Sequence, residues 1–217
     1  MKGWLSLSAE KSATASPPIF QASAPVAVTS AQALINEGQK LEDEGAVGAA
    51  LARYREALAL QPRLVPGWLN QGNALQLLWQ FAQAVESYRQ ALVLDEKFAA
   101  VWLNLGNALL LLPSYDQEAR KTAISEAESA YRAALAARPG WAEAWFGLGC
   151  ALELNRDAEA ACAAYQQALE AAPGHEGARF NLSDLTAEML VKRQQMGAAR
   201  QVLLDELARS PGQRRLL

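Results

Sequence analysis

The sequence is poor in the residues that do chemistry. Its 217 residues include one histidine and two cysteines. Cys150 and Cys162 form no CxxC and have no histidines clustered beside them, so packing is the expected role of both, with a redox pair as the alternative. Two cysteines without a pairing framework fit a reducing, cytoplasmic setting. Glycine-rich phosphate loops, dinucleotide fingerprints, HExxH and GxSxG are all missing. The lone His175 falls in a polar PGHEG turn, where exposure to solvent is the expectation. Neither an enzyme, a metal nor a cofactor is expected. Clustered basic charge is missing too: the net charge is −3 with no long run of Lys or Arg, which argues against nucleic acid as partner. No apolar run approaches the ~18 residues that a membrane-spanning helix needs, and no secretory signal follows Lys2. Valine and isoleucine are scarce beside alanine and leucine, which leaves little to build strands from and much to build helices.

What is present divides into a tail and an array. Residues 1–30 are rich in Ser, Ala and Pro, with SPP at 16–18 and AP at 24–25. Such a stretch buries too little apolar surface to offset its ordering entropy, and its prolines favour extended backbone. It reads as a tail or linker.

From residue 31 the chain repeats. WLNQGNAL at 68–75 returns as WLNLGNAL at 102–109, 34 residues later. Gly38, Gly72, Gly106 and Gly149 are separated by 34, 34 and 43, and Tyr54, Tyr88, Tyr131 and Tyr165 by 34, 43 and 34. Each tyrosine has an alanine four residues before it and another three after it. Pro62, Pro139 and Pro173 follow the second alanine by five residues; the second unit has Glu96 there. Trp68, Gly72 and Leu75 step by four and three, as do Trp102, Gly106 and Leu109, and Trp145, Gly149 and Leu152. These steps share one helical face, so each unit is a pair of amphipathic helices. The aromatic side chains, including Trp68, Trp102 and Trp145, are expected to be largely buried between helices.

This pattern resembles the tetratricopeptide repeat family, with its Trp, Leu-Gly, Tyr, Ala and Pro signature. The resemblance covers roughly residues 31–210. It implies an all-α fold, a right-handed superhelical solenoid of antiparallel helix pairs. The units fall near 31–64, 65–98, 99–141, 142–175 and a degenerate 176–217. In the last, Arg179, Leu182 and Ser183 stand where Trp, Leu and Gly are expected, and Glu206 replaces the second alanine, as suits a terminal cap. The third unit carries nine extra residues. Pro113 and Ser114 should end its first helix, and DQEARKTAISEAESAYRAAL reads as a lengthened second one.

Two and five residues after each tryptophan stand Asn70 and Asn73, then Asn104 and Asn107. The same offsets give Asn36 and Gln39 in the first unit, Asn181 and Asp184 in the fifth, and a gap at Gly147 and Cys150 in the fourth. In the family the first helices line the concave side, so these amides would form a column along a groove. The column is similar to the peptide-gripping ladder in the repeat domains of the O-linked N-acetylglucosamine transferases. An amide both donates and accepts, which suits the backbone of an extended peptide. The alternative is that asparagine is simply a common residue at these positions. Leu69, Leu77, Leu103, Leu110, Leu111, Leu154 and Phe146 are further groove candidates, with acidic ends at Glu42, Asp43 and Glu188. No Lys or Arg joins the amides, which excludes the carboxylate clamp of the family's co-chaperone members.

The function read from the sequence is a non-catalytic scaffold that binds a protein or an extended peptide in its groove. The ligand could be the chain's own tail: PPIFQASAPVAV at 17–28 is uncharged and partly apolar. Two other readings stay open on the sequence alone. The array is the recognition part of a larger enzyme such as a glycosyltransferase, or it is a self-assembly module whose copies stack or exchange tails into an oligomer.

Overall fold

A computed structural model describes residues 30–113 and 116–209, and these are helical throughout. The helices pair as α1 (Ala31–Asp43) with α2 (Val47–Leu60), α3 (Val65–Leu77) with α4 (Phe81–Leu94), α5 (Ala99–Leu111) with α6 (Gln117–Ala137), α7 (Ala142–Leu154) with α8 (Ala158–Ala171), and α9 (Glu176–Lys192) with α10 (Met196–Arg209). Each helix packs on its sequence neighbours. The first helices α1, α3, α5 and α7 also pack successively on one another, while the second helices splay apart. That difference curves the array and puts the first helices on the inner layer. The tail expected over 1–30 lies outside the described residues except for Ser30, whose hydroxyl caps α1 by accepting from Ala33 N at 3.1 Å.

The tyrosines form the spine of the core. Tyr54, Tyr88 and Tyr165 are 0% exposed and Tyr131 is 1% exposed. The Cδ1, Cε1 and Cζ atoms of each ring press on the glycine of its own pair, Gly38, Gly72, Gly149 or Gly106, leaving no room for a Cβ. This close approach is what the recurring glycine provides.

The tryptophans sit at the edge of the core rather than in its centre. Trp68, Trp102 and Trp145 are half-buried and packed against it. Their indole N–H groups donate to the carbonyls of Pro62 at 2.8 Å, Glu96 at 2.7 Å and Pro139 at 2.8 Å. An indole tied to the turn between pairs must keep its polar edge at the surface. The carbonyl is what the turn supplies, so Glu96 serves where the other units have proline.

Turns within pairs close through a left-handed residue. Gly45, Trp79, Arg156 and Gln194 have φ of 79°, 60°, 65° and 60°. The third pair ends α5 by another route. Arg120 on the lengthened α6 donates to the carbonyls of Leu110 at 2.8 Å and Leu112 at 3.3 Å, satisfying the helix end across Pro113. Helix α6 has 21 residues against 14 in α2, α4 and α8. The insertion is therefore mostly helix.

His175 is not the exposed turn residue expected. It is half-buried, its Nδ1 accepts from Ala178 N at 3.1 Å as the N-cap of α9, and its ring centroid lies 4.7 Å from that of Phe146. In the last pair, Arg179 Nε donates to Glu206 Oε1 at 3.1 Å, with Glu206 buried. The two departures from the repeat pattern are thus partners across α9 and α10. Arg179→Ala is expected to destabilise the array by about 2 kcal/mol, because it leaves a buried carboxylate without its counter-charge. Arg179→Trp with Glu206→Ala, which restores the pattern of the inner pairs, should recover most of that loss. Urea melts of the single and double variants check both statements.

Candidate functional site

The inner layer carries the asparagines, and the buried tyrosines decide what their amides do. The Tyr88 hydroxyl donates to Asn73 Oδ1 at 2.9 Å and is shared with Gln76 Oε1 at 3.2 Å. The Tyr131 hydroxyl donates to Asn107 Oδ1 at 2.8 Å. In the fourth pair Tyr165 donates to Glu153 at 2.6 Å and accepts from Asn181 Nδ2 at 3.1 Å. In the first, Tyr54 donates to Glu42 at 2.7 Å, so this expected acidic groove end is engaged. Burial is the main force pushing all four phenols up in pKa, and the carboxylates of Glu42 and Glu153 push Tyr54 and Tyr165 further. All four therefore act as fixed hydrogen-bonding groups. The asparagines are, first, the partners that buried phenols require.

The amides also link neighbouring pairs. Asn104 Nδ2 donates to Asn73 Oδ1 at 2.9 Å, and Asn181 Nδ2 reaches toward Cys150 Sγ at 3.9 Å. Cys150 thus occupies the accepting place in the fourth pair, and burial raises its pKa, which keeps it a thiol. Cys162 Sγ contacts Met189 Sδ at 3.9 Å, and neither cysteine is in a disulfide. At Gly147, where the column has its gap, the ring of Tyr131 fills the space a Cβ would need. Asn70 Nδ2 is buried without an acceptor among the described residues, and Asn36 accepts from Gln32 within its own helix at 3.0 Å.

Of the expected groove residues, Asn73, Asn104, Leu77 and Leu111 come together. They line an open pocket of about 500 Å³ at the C-terminal ends of α3 and α5, joined by Gln76, Trp79 and Phe81. The others do not line it. Leu103 is corrected outright: at 8% exposure it belongs to the core, because its side of α5 faces neighbouring helices rather than the groove. Leu69 is half-buried against the core, and Phe146 packs beside Tyr165 and His175 at the last junction. Leu154, 48% exposed, ends α7.

Sequence reasoning missed Trp79 and Phe81. A signal was available: on the 34-residue period Trp79 falls where Gly45 stands in the first unit. A tryptophan at a turn position, where the other units have Gly45, Arg156 and Gln194, calls for a reason. Its indole is 79% exposed and meets Phe81 edge-on, with centroids 5.8 Å apart. No charged side chain lines the pocket. Among the described residues no group of His, Cys, Asp and Glu could hold a metal, and no helix is long and apolar enough to cross a membrane.

Residues 80–112 match a TPR repeat model and residues 124–176 a Tetratricopeptide repeat model. No curated protein matches the sequence. Among solved structures, MamA from Desulfovibrio magneticus RS-1 (residue 41 to the end) is 20% identical over 85% of this chain and 97% of that one, with a TM-score of 0.71. YrrB, described as a TPR protein with an unusual peptide-binding site, is 19% identical over 85% of this chain and 89% of that one, with a TM-score of 0.68. The first TPR domain of Spaghetti, bound to the HSP90 peptide SRMEEVD, is 22% identical over 58% of this chain and 93% of that one, with a TM-score of 0.53. At these identities the likeness is one of fold. Helix pairing, the glycine–tyrosine register and both family matches agree: residues 80–112 and 124–176 match tetratricopeptide repeats, and the described chain is an all-helical solenoid of that type.

Proposed function

We propose that this protein is a non-catalytic adaptor that holds an extended, uncharged peptide segment on its inner layer, centred on the pocket between α3 and α5. One observation carries the reading. Asn73 commits its Oδ1 to Tyr88 and Asn104, leaving its Nδ2 to donate; Asn104 commits its Nδ2 to Asn73, leaving its Oδ1 to accept. A fixed donor and a fixed acceptor therefore stand side by side over an apolar rim. They suit the carbonyl and N–H of a peptide backbone, and the rim suits its side chains. The uncharged lining favours an apolar segment over an acidic one. The peptide-bound Spaghetti structure and the YrrB description support the same use of this fold.

The bonds to tyrosine dictate the test. Replacing asparagines by alanine would strip Tyr88 and Tyr131 of their acceptors and confuse binding with folding. Asn73→Asp keeps an acceptor for Tyr88 and Asn104 and replaces the outward donor with a negatively charged acceptor, which repels a ligand carbonyl. It should leave the melting midpoint within about 3 °C of wild type, an effect below 1 kcal/mol. It should weaken capture of uncharged 12-residue peptides on an array by about tenfold or more, as expected when a ligand carbonyl loses its donor. Equal capture by wild type and variant would sink the reading.

A further inference from the structure

Trp79 combines three features. It is the most exposed tryptophan among the described residues, its backbone is left-handed at φ 60°, and it lies on the rim of the pocket. The left-handed backbone belongs to the turn, since Arg156 and Gln194 share it; what sets Trp79 apart is a large indole held exposed there, beside the pocket. Leu77 and Leu111, 57% and 50% exposed, continue the rim. An aromatic and aliphatic rim above amide groups is the surface that binds proline-containing extended segments: proline rings pack on the indole, and proline carbonyls keep both lone pairs for donors.

Resting on the groove reading above, we infer that the occupant of this pocket is the chain's own Ser16–Phe20, SPPIF, docked on Trp79 and Phe81 in the same molecule. Chemistry, reach and elimination support it. No charged residue occurs between Lys11 and Glu37, matching a pocket with no charged lining. Pro17 and Pro18 offer carbonyls to Asn73 Nδ2 without N–H groups to leave unpaired, and Ile19 and Phe20 supply N–H groups for Asn104 Oδ1 and apolar side chains for Leu77 and Leu111. Ser30 fixes the start of α1, at the opposite end of the inner layer from the pocket. The helix length and two inter-helix spacings put the pocket roughly 25–30 Å away. The ten residues from Phe20 to Ser30 span up to about 33 Å when extended. The other segment outside the described helices, 210–217, carries Arg214 and Arg215 and leaves from the far end of the array. A tethered segment has a local concentration of about millimolar, so modest affinity fills the pocket and any other peptide must displace it.

The test uses the full chain. The six indole N–H resonances are recorded by NMR, with that of Trp79 assigned by its loss in Trp79→Phe. In Ile19→Ser/Phe20→Ser the Trp79 resonance should shift and its quenching by a soluble paramagnetic agent should rise at least twofold, at monomer mass and independent of protein concentration. The peptide SATASPPIFQAS, added to that variant, should return the resonance to its wild-type position. The same peptide should bind at least tenfold more weakly to a chain that also carries Trp79→Gly, a change the left-handed backbone accepts. An unmoved Trp79 resonance in the tail variant overturns the inference. So does a shift that follows concentration and dimer mass, which would place the segment on a second copy. If Trp79 is unmoved while array binding still depends on Asn73, only the assignment of the tail falls and the groove reading stands.

Discussion

Tyr131→Ala is expected to cost about 3–5 kcal/mol, the range for deleting a large buried aromatic. The side chain is 1% exposed, and α5 and α7 both press on it through glycines: a Cβ at Gly106 would stand 2.7 Å from its Cε1, and one at Gly147 closer still. Backbones that approach a ring this closely cannot collapse into the void it leaves, so the cavity term is large. Tyr131→Phe keeps the ring and removes only the bond to Asn107, so about 1 kcal/mol is expected. Trp102→Ala should fall between them at about 2–3 kcal/mol, because the indole is half-buried and gives up partial packing plus its bond to Glu96 O. Urea unfolding followed by circular dichroism ranks the three. Trp102→Ala proving worse than Tyr131→Ala would contradict this account of the core.

Gly147→Asn is the second large effect, and its expected sign is the reverse of what the repeat pattern suggests. By pattern, asparagine at 147 completes the column that runs through Asn70, Asn104 and Asn181. In the structure the Tyr131 ring fills that space, and the ring is pinned from the other helix by Gly106. Forcing a side chain between a fixed ring and a helix backbone is overpacking, expected to destabilise by about 3 kcal/mol. In a chain of this length that is a fall of roughly 6–12 °C in the melting midpoint. Gly147→Asn combined with Tyr131→Ala should cost less than the sum of the two, since the asparagine then occupies space the ring has vacated. A melt of Gly147→Asn at or above the wild-type midpoint would show that the gap is free space.

The helix pairs, their period and the terminal cap were legible because they are written in short-range steps. Gly72 and Leu75 follow Trp68 by one helical turn each, and Ala84, Tyr88 and Ala91 do the same on the next helix. Spacing of this kind marks a helical face whatever else the chain does. The insertion was legible for the same reason, as a displacement of tyrosine and glycine together. Periodicity put Trp68, Trp102 and Trp145 on the core side but assigns a side, not a depth: their polar edge is held at the turn by a carbonyl six residues back.

The candidate site was only half legible. The sequence by itself determined that amides would recur on the inner helices, because they share the register of the core. Tertiary structure alone decided which of their atoms are taken by neighbouring side chains. Asn73 meets Tyr88 from α4 and Asn104 from α5, residues 15 and 31 positions away, and those partners take its oxygen and leave its nitrogen. In the same way Arg179 and Glu206 became a pair, Gly147 a necessity, and Trp79 part of a pocket with Leu111. An amide or a ring has a role only relative to the group it meets, and here those groups come from other helices, whose approach is set by the curvature of the whole array.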